Sequence, residues 1–424
     1  MKKLSEMTFE ELSARKKALS DEYAAYCAQN LKLDMSRGKP GPEQLDLTVG
    51  LLADLTDYRT ENGVDVRNYG GLEGIPEARR LFGDILGVAA EQVIVGGNSS
   101  LNMMFDYIAT AFAKGICGHT PWSKTESPKF LCPVPGYDRH FAITDFFGIE
   151  MVTVPKTAAG PDMDEVERLV KDPSVKGMWC VPMYANPDGI TYSDETVRRL
   201  AAMETGAADF RIIWDNAYCL HHVYDTHDEL LNVYDECVKC GTEDRVIMVC
   251  STSKISFPGA GVAALAASPK NVADILKRMT IQTIGYDKIN MLRHVRFFKD
   301  LDGVIEHMKL HTAVLRPKFD VVLNTLDAKL GDNGVATWHR PNGGYFISVN
   351  LMHGCAKRTV QLLKEAGVVL TPAGSTNPHK HDPAPTNLRI APTFPSVAEL
   401  QTAFDLFCVV AELVCLDKLL ENKR

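Results

Sequence analysis

The sequence predicts an α/β protein: a mostly parallel central sheet flanked by helices, with a smaller α+β domain built from both chain ends. Three observations point to this class. From about residue 129, short apolar runs alternate with helical windows, the pattern of strands joined through helices. From about residue 320 the alternation gives way to turns, isolated short strands and one long helix. The 424 residues exceed what one compact core accommodates, so two domains are expected. An N-terminal segment of the small domain is expected at 1–44, a large α/β domain at 45–315 and a C-terminal small domain at 316–424.

In chain order, Thr8-Phe-Glu-Glu11 is a capping box that opens a helix, and Leu12, Leu19, Tyr23, Tyr26 and Leu31 then recur at helical spacing. Met35–Pro42 is too rich in Pro and Gly to continue it. Residues 43–68 read as a short helix and loop, and Arg67–Pro76 as a glycine-rich turn before a helix through Leu86. Gln92–Val95 is a short strand, followed by Gly96-Gly-Asn-Ser-Ser100 and an apolar helix over Leu101–Phe112. Phe130–Pro133, Ile149–Val154, Gly177–Val181, Phe210–Trp214 and Arg245–Val249 read as buried strands, with helical windows such as Asp164–Val170 and Asp194–Met203 between them. Beyond 320, short strands are expected within Trp338–Val349, at Val368–Leu370 and at Asn387–Ala391. Ser396-Val-Ala-Glu399 is a second capping box, opening a long C-terminal helix.

Composition excludes several classes. Lys and Arg number 46 against 54 Asp and Glu, a net charge of −8, which argues against nucleic acid as a partner. No window of eighteen apolar residues predicts a membrane span, and the first residues carry no apolar signal core. Eleven cysteines lie singly apart from Cys237-Val-Lys-Cys240, one C-x-x-C without a second ligand pair. They read as reduced thiols of a cytoplasmic protein with no metal site.

The chemistry centres on Cys250-Ser-Thr-Ser-Lys254, where an apolar strand runs into hydroxyls and a lysine. A lysine at the end of a buried strand needs a partner or a reaction that consumes its charge, such as a Schiff base with an aldehyde. The plainer alternative is a surface lysine. Ser251 and Ser253 could serve an anion. The next segment, Gly259-Ala-Gly261-Val-Ala-Ala264, fits a dinucleotide fingerprint in letters, yet it leads into β-compatible residues and no acidic residue closes a later strand. Other polar signals lie at strand ends, where ligands of open α/β sheets bind. They are Asn186, Asp215 with Tyr218, and Asn98-Ser-Ser100 before a helix N-terminus suited to phosphate. Arg389, within an apolar strand, calls for a carboxylate. Each has a structural alternative: a turn for Asn186, a cap for Asp215 or for Asn98–Ser100, core packing for Tyr218, a structural ion pair for Arg389. Adjacent His221 and His222 point to different faces and do not suit a shared metal.

Taken together, Asn186-Pro-x-Gly, Asp215-x-x-Tyr218, Ser251-x-Ser-Lys254 and Arg389 give the chain a resemblance to the aspartate-aminotransferase family of fold-type-I pyridoxal-phosphate enzymes, from about Leu33 to the last helix. Arg37–Asp46, Gly97–Leu101 and Ser251–Ile255 resemble a divergent bacterial subgroup. The resemblance implies the fold of that group and pyridoxal 5'-phosphate as cofactor. It implies that Lys254 carries the cofactor and moves the proton, Asp215 pairs with the ring nitrogen, and Tyr218 and Asn186 bond the ring oxygen. Tyr137 would stack on the ring; Asn98, Ser99, Ser100 and Ser251 would hold the phosphate; Tyr69 would reach the phosphate of a neighbouring subunit. Arg389 would take the substrate α-carboxylate, and Gly38 would lie in a segment that closes over the substrate. The chain departs from the family at Val262, where most members carry the arginine that neutralises the phosphate.

The resemblance thus predicts a homodimeric aminotransferase acting on amino acids and 2-oxo acids, with aspartate and 2-oxoglutarate as the pair. A dicarboxylate needs a second cation, for which Arg37, Arg139 and Arg293 are candidates. Alternatives are alanine or an aromatic donor, a β-lyase or decarboxylase on the same scaffold, a ligand-sensing domain of a transcription regulator, and a nicotinamide enzyme. The regulator would need a DNA-binding domain, for which only one helix precedes residue 33.

Overall fold

The computed structural model describes residues 3–382 and 385–423. Eight strands form the central sheet, in the order Val93–Val95, Ala263–Ala267, Val246–Ser251, Arg211–Asp215, Val175–Cys180, Lys129–Val134, Glu150–Thr157 and Gly160–Pro161. The five from Val246–Ser251 to Glu150–Thr157 run parallel. Ala263–Ala267 runs against both its neighbours. The central strands are buried along their whole length, as expected for a sheet covered on both faces. Successive side chains serve opposite cores: Ile212 and Trp214 join one hydrophobic cluster, Ile213 the other.

Both capping boxes form as expected. The Thr8 hydroxyl accepts from the Glu11 amide at 3.2 Å and opens the helix Phe9–Cys27, and Ser396 does the same for Val397–Asn422. These two helices from opposite chain ends share one apolar cluster, to which Leu12, Leu19, Phe404 and Phe407 belong. Arg15 clamps Glu412 through two hydrogen bonds of 2.6 and 2.8 Å. The same cluster includes Tyr345, Phe346, Ile347 and Val349, beside an antiparallel sheet of Ala336–Trp338, Ile347–Leu351 and Asn387–Ile390. Leu33–Asp34 pairs in parallel with Val368–Val369.

Because the five strands are parallel, the segments after Val134, Cys180, Asp215 and Ser251 leave the same edge of the sheet. Val95 ends there too, since two successive antiparallel pairings restore the original direction. Every polar signal at a strand end in the sequence is thus brought to one edge. The Gly259–Ala264 stretch enters a strand, Ala263–Ala267, where a dinucleotide fingerprint requires a helix.

Candidate active site

Asp215 ends its strand and is buried, with 3% of its surface exposed. One oxygen, Oδ2, lies 2.9 Å from His140 Nε2; the other, Oδ1, is buried with no hydrogen-bond partner among the described residues. A buried carboxylate oxygen left open is costly unless a donor arrives from outside the chain. His140 is held in place by stacking on Trp179, ring centroids 4.4 Å apart at 10°. Tyr137 meets His140 edge-on at 4.9 Å. Sequence reasoning missed His140. Its signal was spacing: it follows Tyr137 by three residues across the first turn of the helix Asp138–Phe146, so the two side chains share a face.

Lys254 follows the neighbouring strand. Its Nζ lies 4.9 Å from the ring centre of Tyr218 and 5.9 Å from that of Tyr345. Burial lowers the basicity of this amine, and the Asp215 carboxylate partly offsets that. The two groups therefore share one electrostatic environment. Tyr218 is buried and its hydroxyl is driven well up by burial, then by the nearby Tyr137 and Asp215. Burial likewise raises Tyr137, to about 12. Both phenols are uncharged donors at neutral pH. Behind Lys254, Tyr345 accepts from Gln44 Nε2 at 2.9 Å, Gln44 reaches His311 at 3.0 Å, and His311 reaches His307 at 3.1 Å. His221 packs edge-on against Tyr218 and Tyr345. His222 instead bonds the Tyr184 hydroxyl at 2.8 Å, so the adjacent pair is divided between two surroundings.

Arg389 comes from the Asn387–Ile390 strand and meets the sheet edge. Its Nη1 donates to Asp138 Oδ1 at 3.1 Å and to Asn186 Oδ1 at 3.3 Å. Its Nε is buried with no partner among the described residues, and its guanidinium lies 5.2 Å from the Phe346 ring centre. Gly38 lies directly against Phe346: a Cβ there would collide with that ring. Asp138 and Phe346 were not singled out from the sequence.

The hydroxyl-bearing residues form a second cluster at the same edge. Gly97, at φ +68°, turns the chain into Asn98–Ser100 at the start of the helix Ser100–Ala113. Ser99 is the N-cap residue, yet its side chain makes no capping bond. That leaves the first amides of a 14-residue helix for an anion. Ser253 Oγ donates to the Asn98 carbonyl at 3.4 Å and receives from Ser251 Oγ at 3.1 Å, which ties the two loops together. Val262 is 2% exposed and packs into the sheet core, its amide bound to Thr252 Oγ1 at 2.9 Å.

Four further candidates from the sequence remain. Tyr69 is 81% exposed. Arg37 and Arg139 are exposed, and the charge of Arg139 acts on the Tyr137 hydroxyl. Arg293 borders a separate cavity with Gly50, Leu55 and Phe297. In the C-x-x-C pair, Cys237 is buried and Cys240 exposed; among the described residues no cluster of His, Cys, Asp or Glu is arranged to hold a metal ion. Among the described residues no helix is long and apolar enough to cross a membrane.

The profile of the family described as aspartate amino-transferase matches residues 7–423. An aspartate aminotransferase of Corynebacterium glutamicum is 49% identical over 381 residues, covering 89% of this chain and 88% of its own. A crystal structure of an aspartate transaminase from that organism superposes with a TM-score of 0.96 at 45% identity, over 98% of this chain and 99% of its own. The fold is shared more widely. The α-aminoadipate aminotransferase LysN of Thermus thermophilus, solved with a phosphopyridoxyl-leucine, superposes with a TM-score of 0.72 at 21% identity, over 93% of this chain and 94% of its own.

Proposed function

The chain belongs to the aspartate amino-transferase family, and from that premise we propose that it transfers the amino group of aspartate to 2-oxoglutarate with pyridoxal 5'-phosphate as cofactor. The observation that carries this proposal is the open, buried Oδ1 of Asp215, whose carboxylate acts electrostatically on the Lys254 amine. A carboxylate waiting for a donor, beside an amine whose basicity is lowered, fits a pyridinium with an aldehyde on its ring. When bound, the cofactor supplies an electron sink that stabilises negative charge at the substrate Cα.

The chain's own residues would do the rest. Asp215, oriented by His140, keeps a proton on the ring nitrogen. Lys254 carries the cofactor and moves a proton at the substrate Cα, a task suited to an amine with lowered basicity. Tyr218 and Asn186 bond the ring oxygen, and Tyr137 covers the ring face. Asn98, Ser99, Ser100 and Ser251 hold the phosphate at a helix N-terminus. With Val262 in the core, neutralisation rests on that helix end and these hydroxyls. Arg389 takes the substrate α-carboxylate beside Gly38 and Phe346, through donors left open on its guanidinium.

A homodimer is part of the same proposal. Val49, Leu52, Tyr69, Ile281 and Ile284 are exposed apolar side chains, 55–90% accessible. The segments carrying Tyr69 and Ile284 adjoin: a Cβ on Gly285 would stand 2.8 Å from the Gly70 carbonyl. Such a face supports pairing, with Tyr69 passed to the neighbour's phosphate.

The test is a screen of aspartate, alanine and an aromatic amino acid against 2-oxoglutarate, with visible absorption of the protein recorded after addition of pyridoxal 5'-phosphate. Oxaloacetate formation from aspartate, with the other donors at least tenfold slower, is expected. A protein that stays colourless, or one that releases ammonia or CO2 without amino transfer, would overturn the assignment.

A further inference from the structure

Arg389 is not a bare cation waiting for substrate. Its side chain is 10% exposed and its Nη1 already rests on Asp138 Oδ1 at 3.1 Å. The bond is one-sided: its Nη2 has only Thr371 Oγ1 at 3.5 Å, and its Nε has no partner among the described residues. Asp138 is less committed. It is the first residue of the helix Asp138–Phe146, where the helix end favours a carboxylate, and its side chain is 33% exposed. Removed from Arg389 it would still face water and a helix N-terminus. Arg389, removed from Asp138, would keep only neutral acceptors, Asn186 and Thr371. A buried cation needs an anion at all times, and an aminotransferase site must empty its carboxylate twice in every cycle.

We propose that Asp138 is a resident counter-ion, which holds Arg389 between turnovers and gives way to the incoming carboxylate, thereby setting the carboxylate affinity of the site. The inference rests on the assignment of Arg389 to the substrate carboxylate. Asp138 acts through Arg389 rather than on the reacting atoms, so it is a positioning residue. Its cost to binding is that of a like charge beside the bound carboxylate, partly screened by water. Its benefit is release: product carboxylates leave a cation that is immediately paired again.

Maleate, a dicarboxylate that cannot transaminate, is the probe, its binding read from the cofactor absorption of the holoenzyme. Asp138→Asn keeps the acceptor oxygen and removes the charge. It should bind maleate about tenfold more tightly and lower KM for both amino acid and oxo acid by a similar factor, with kcat changed less than threefold. Asp138→Glu should restore wild-type values. A merely structural Asp138 would move KM and melting temperature together and in the unfavourable direction. If wild type binds maleate and Asp138→Asn binds it no more tightly, the counter-ion role is refuted while the assignment of Arg389 stands. If maleate leaves no mark on the wild-type holoenzyme, that assignment falls and this inference with it.

Discussion

Replacing Asp215 with Asn tests the pocket where it is most exposed to refutation. The substitution keeps the volume and one acceptor oxygen but removes the charge. Asp215 is 3% exposed, so water screens little of the change. A hydrogen bond to a charged partner contributes about 1.5–3 kcal/mol, and the cation on the other side would be left without its anion. Taking about 2 kcal/mol, cofactor affinity should fall roughly 30-fold. His140 sharpens the test. It holds Oδ2 at 2.9 Å and is itself fixed on Trp179, so His140→Gln should disturb orientation without removing the carboxylate's charge. Its effect should be about 1 kcal/mol, or roughly fivefold. The assay is removal of cofactor by dialysis and titration with pyridoxal 5'-phosphate, followed by visible absorption, with thermal melting to verify folding. An Asp215→Asn protein that folds and binds the cofactor within twofold of wild type would refute the pairing of this carboxylate with the ring.

Three further outcomes are expected. Lys254→Ala should remove the visible band entirely and leave the protein folded; a band that persists at the same wavelength would show that another amine carries the cofactor. Gly38→Ala should raise KM for the amino donor roughly tenfold, because its new Cβ must displace the Phe346 ring that lies against Arg389; an unchanged KM would separate Gly38 from the substrate. His311 is 1% exposed and burial lowers its pKa from 6.5 to about 4, so the unfolded chain takes up the proton more readily. Its stabilising contribution is present above pH 6.5 and lost as pH falls toward 4, amounting to about 2 kcal/mol by pH 5. Urea midpoints at pH 7 and pH 5 should therefore differ less for His311→Gln than for wild type, and equal differences would contradict this.

Features legible in the sequence are local, and those that escape it are carried by distant contacts. The strand ends at Asp215 and Ser251 announce themselves because an apolar run stops at a charged or hydroxyl residue. The capping boxes at Thr8 and Ser396 are complete within four residues. By contrast, the Asp138–Arg389 pair joins residues 251 positions apart, and neither neighbourhood hints at the other. Phe346 looks like an ordinary strand residue; its place between Gly38 and Arg389 arises only when both chain ends meet the sheet. The helix Leu301–Lys329 runs through Pro317, a residue that removes a hydrogen bond inside a helix. Leu315, Phe319, Val322, Leu323 and Leu326 on its buried side hold it continuous, an instance of tertiary packing overriding local propensity.

The same division between local and distant would let the proposed site be both rigid and adjustable. Asp215, Lys254 and Ser251 sit on or directly after parallel strands whose hydrogen bonds fix their spacing to one another. Arg389, Phe346 and Gly38 arrive from the part of the chain centred on a third hydrophobic cluster, the one that joins both termini. The bonds of Arg389 across this seam are long or one-sided: 3.1 Å to Asp138, 3.3 Å to Asn186. In the proposed reaction, chemistry at a substrate Cα demands that the Lys254 amine and the Asp215 carboxylate not move relative to each other, and the sheet would enforce this. Admission and release of carboxylates, on the same proposal, demand that their cation can move, and a guanidinium held at a seam by a replaceable counter-ion would allow it. A second ion pair at that seam, strong and buried on both sides, would stabilise the fold while slowing the exchange of substrates. A partly exposed Asp138 in the proposed counter-ion role would be a compromise between the two.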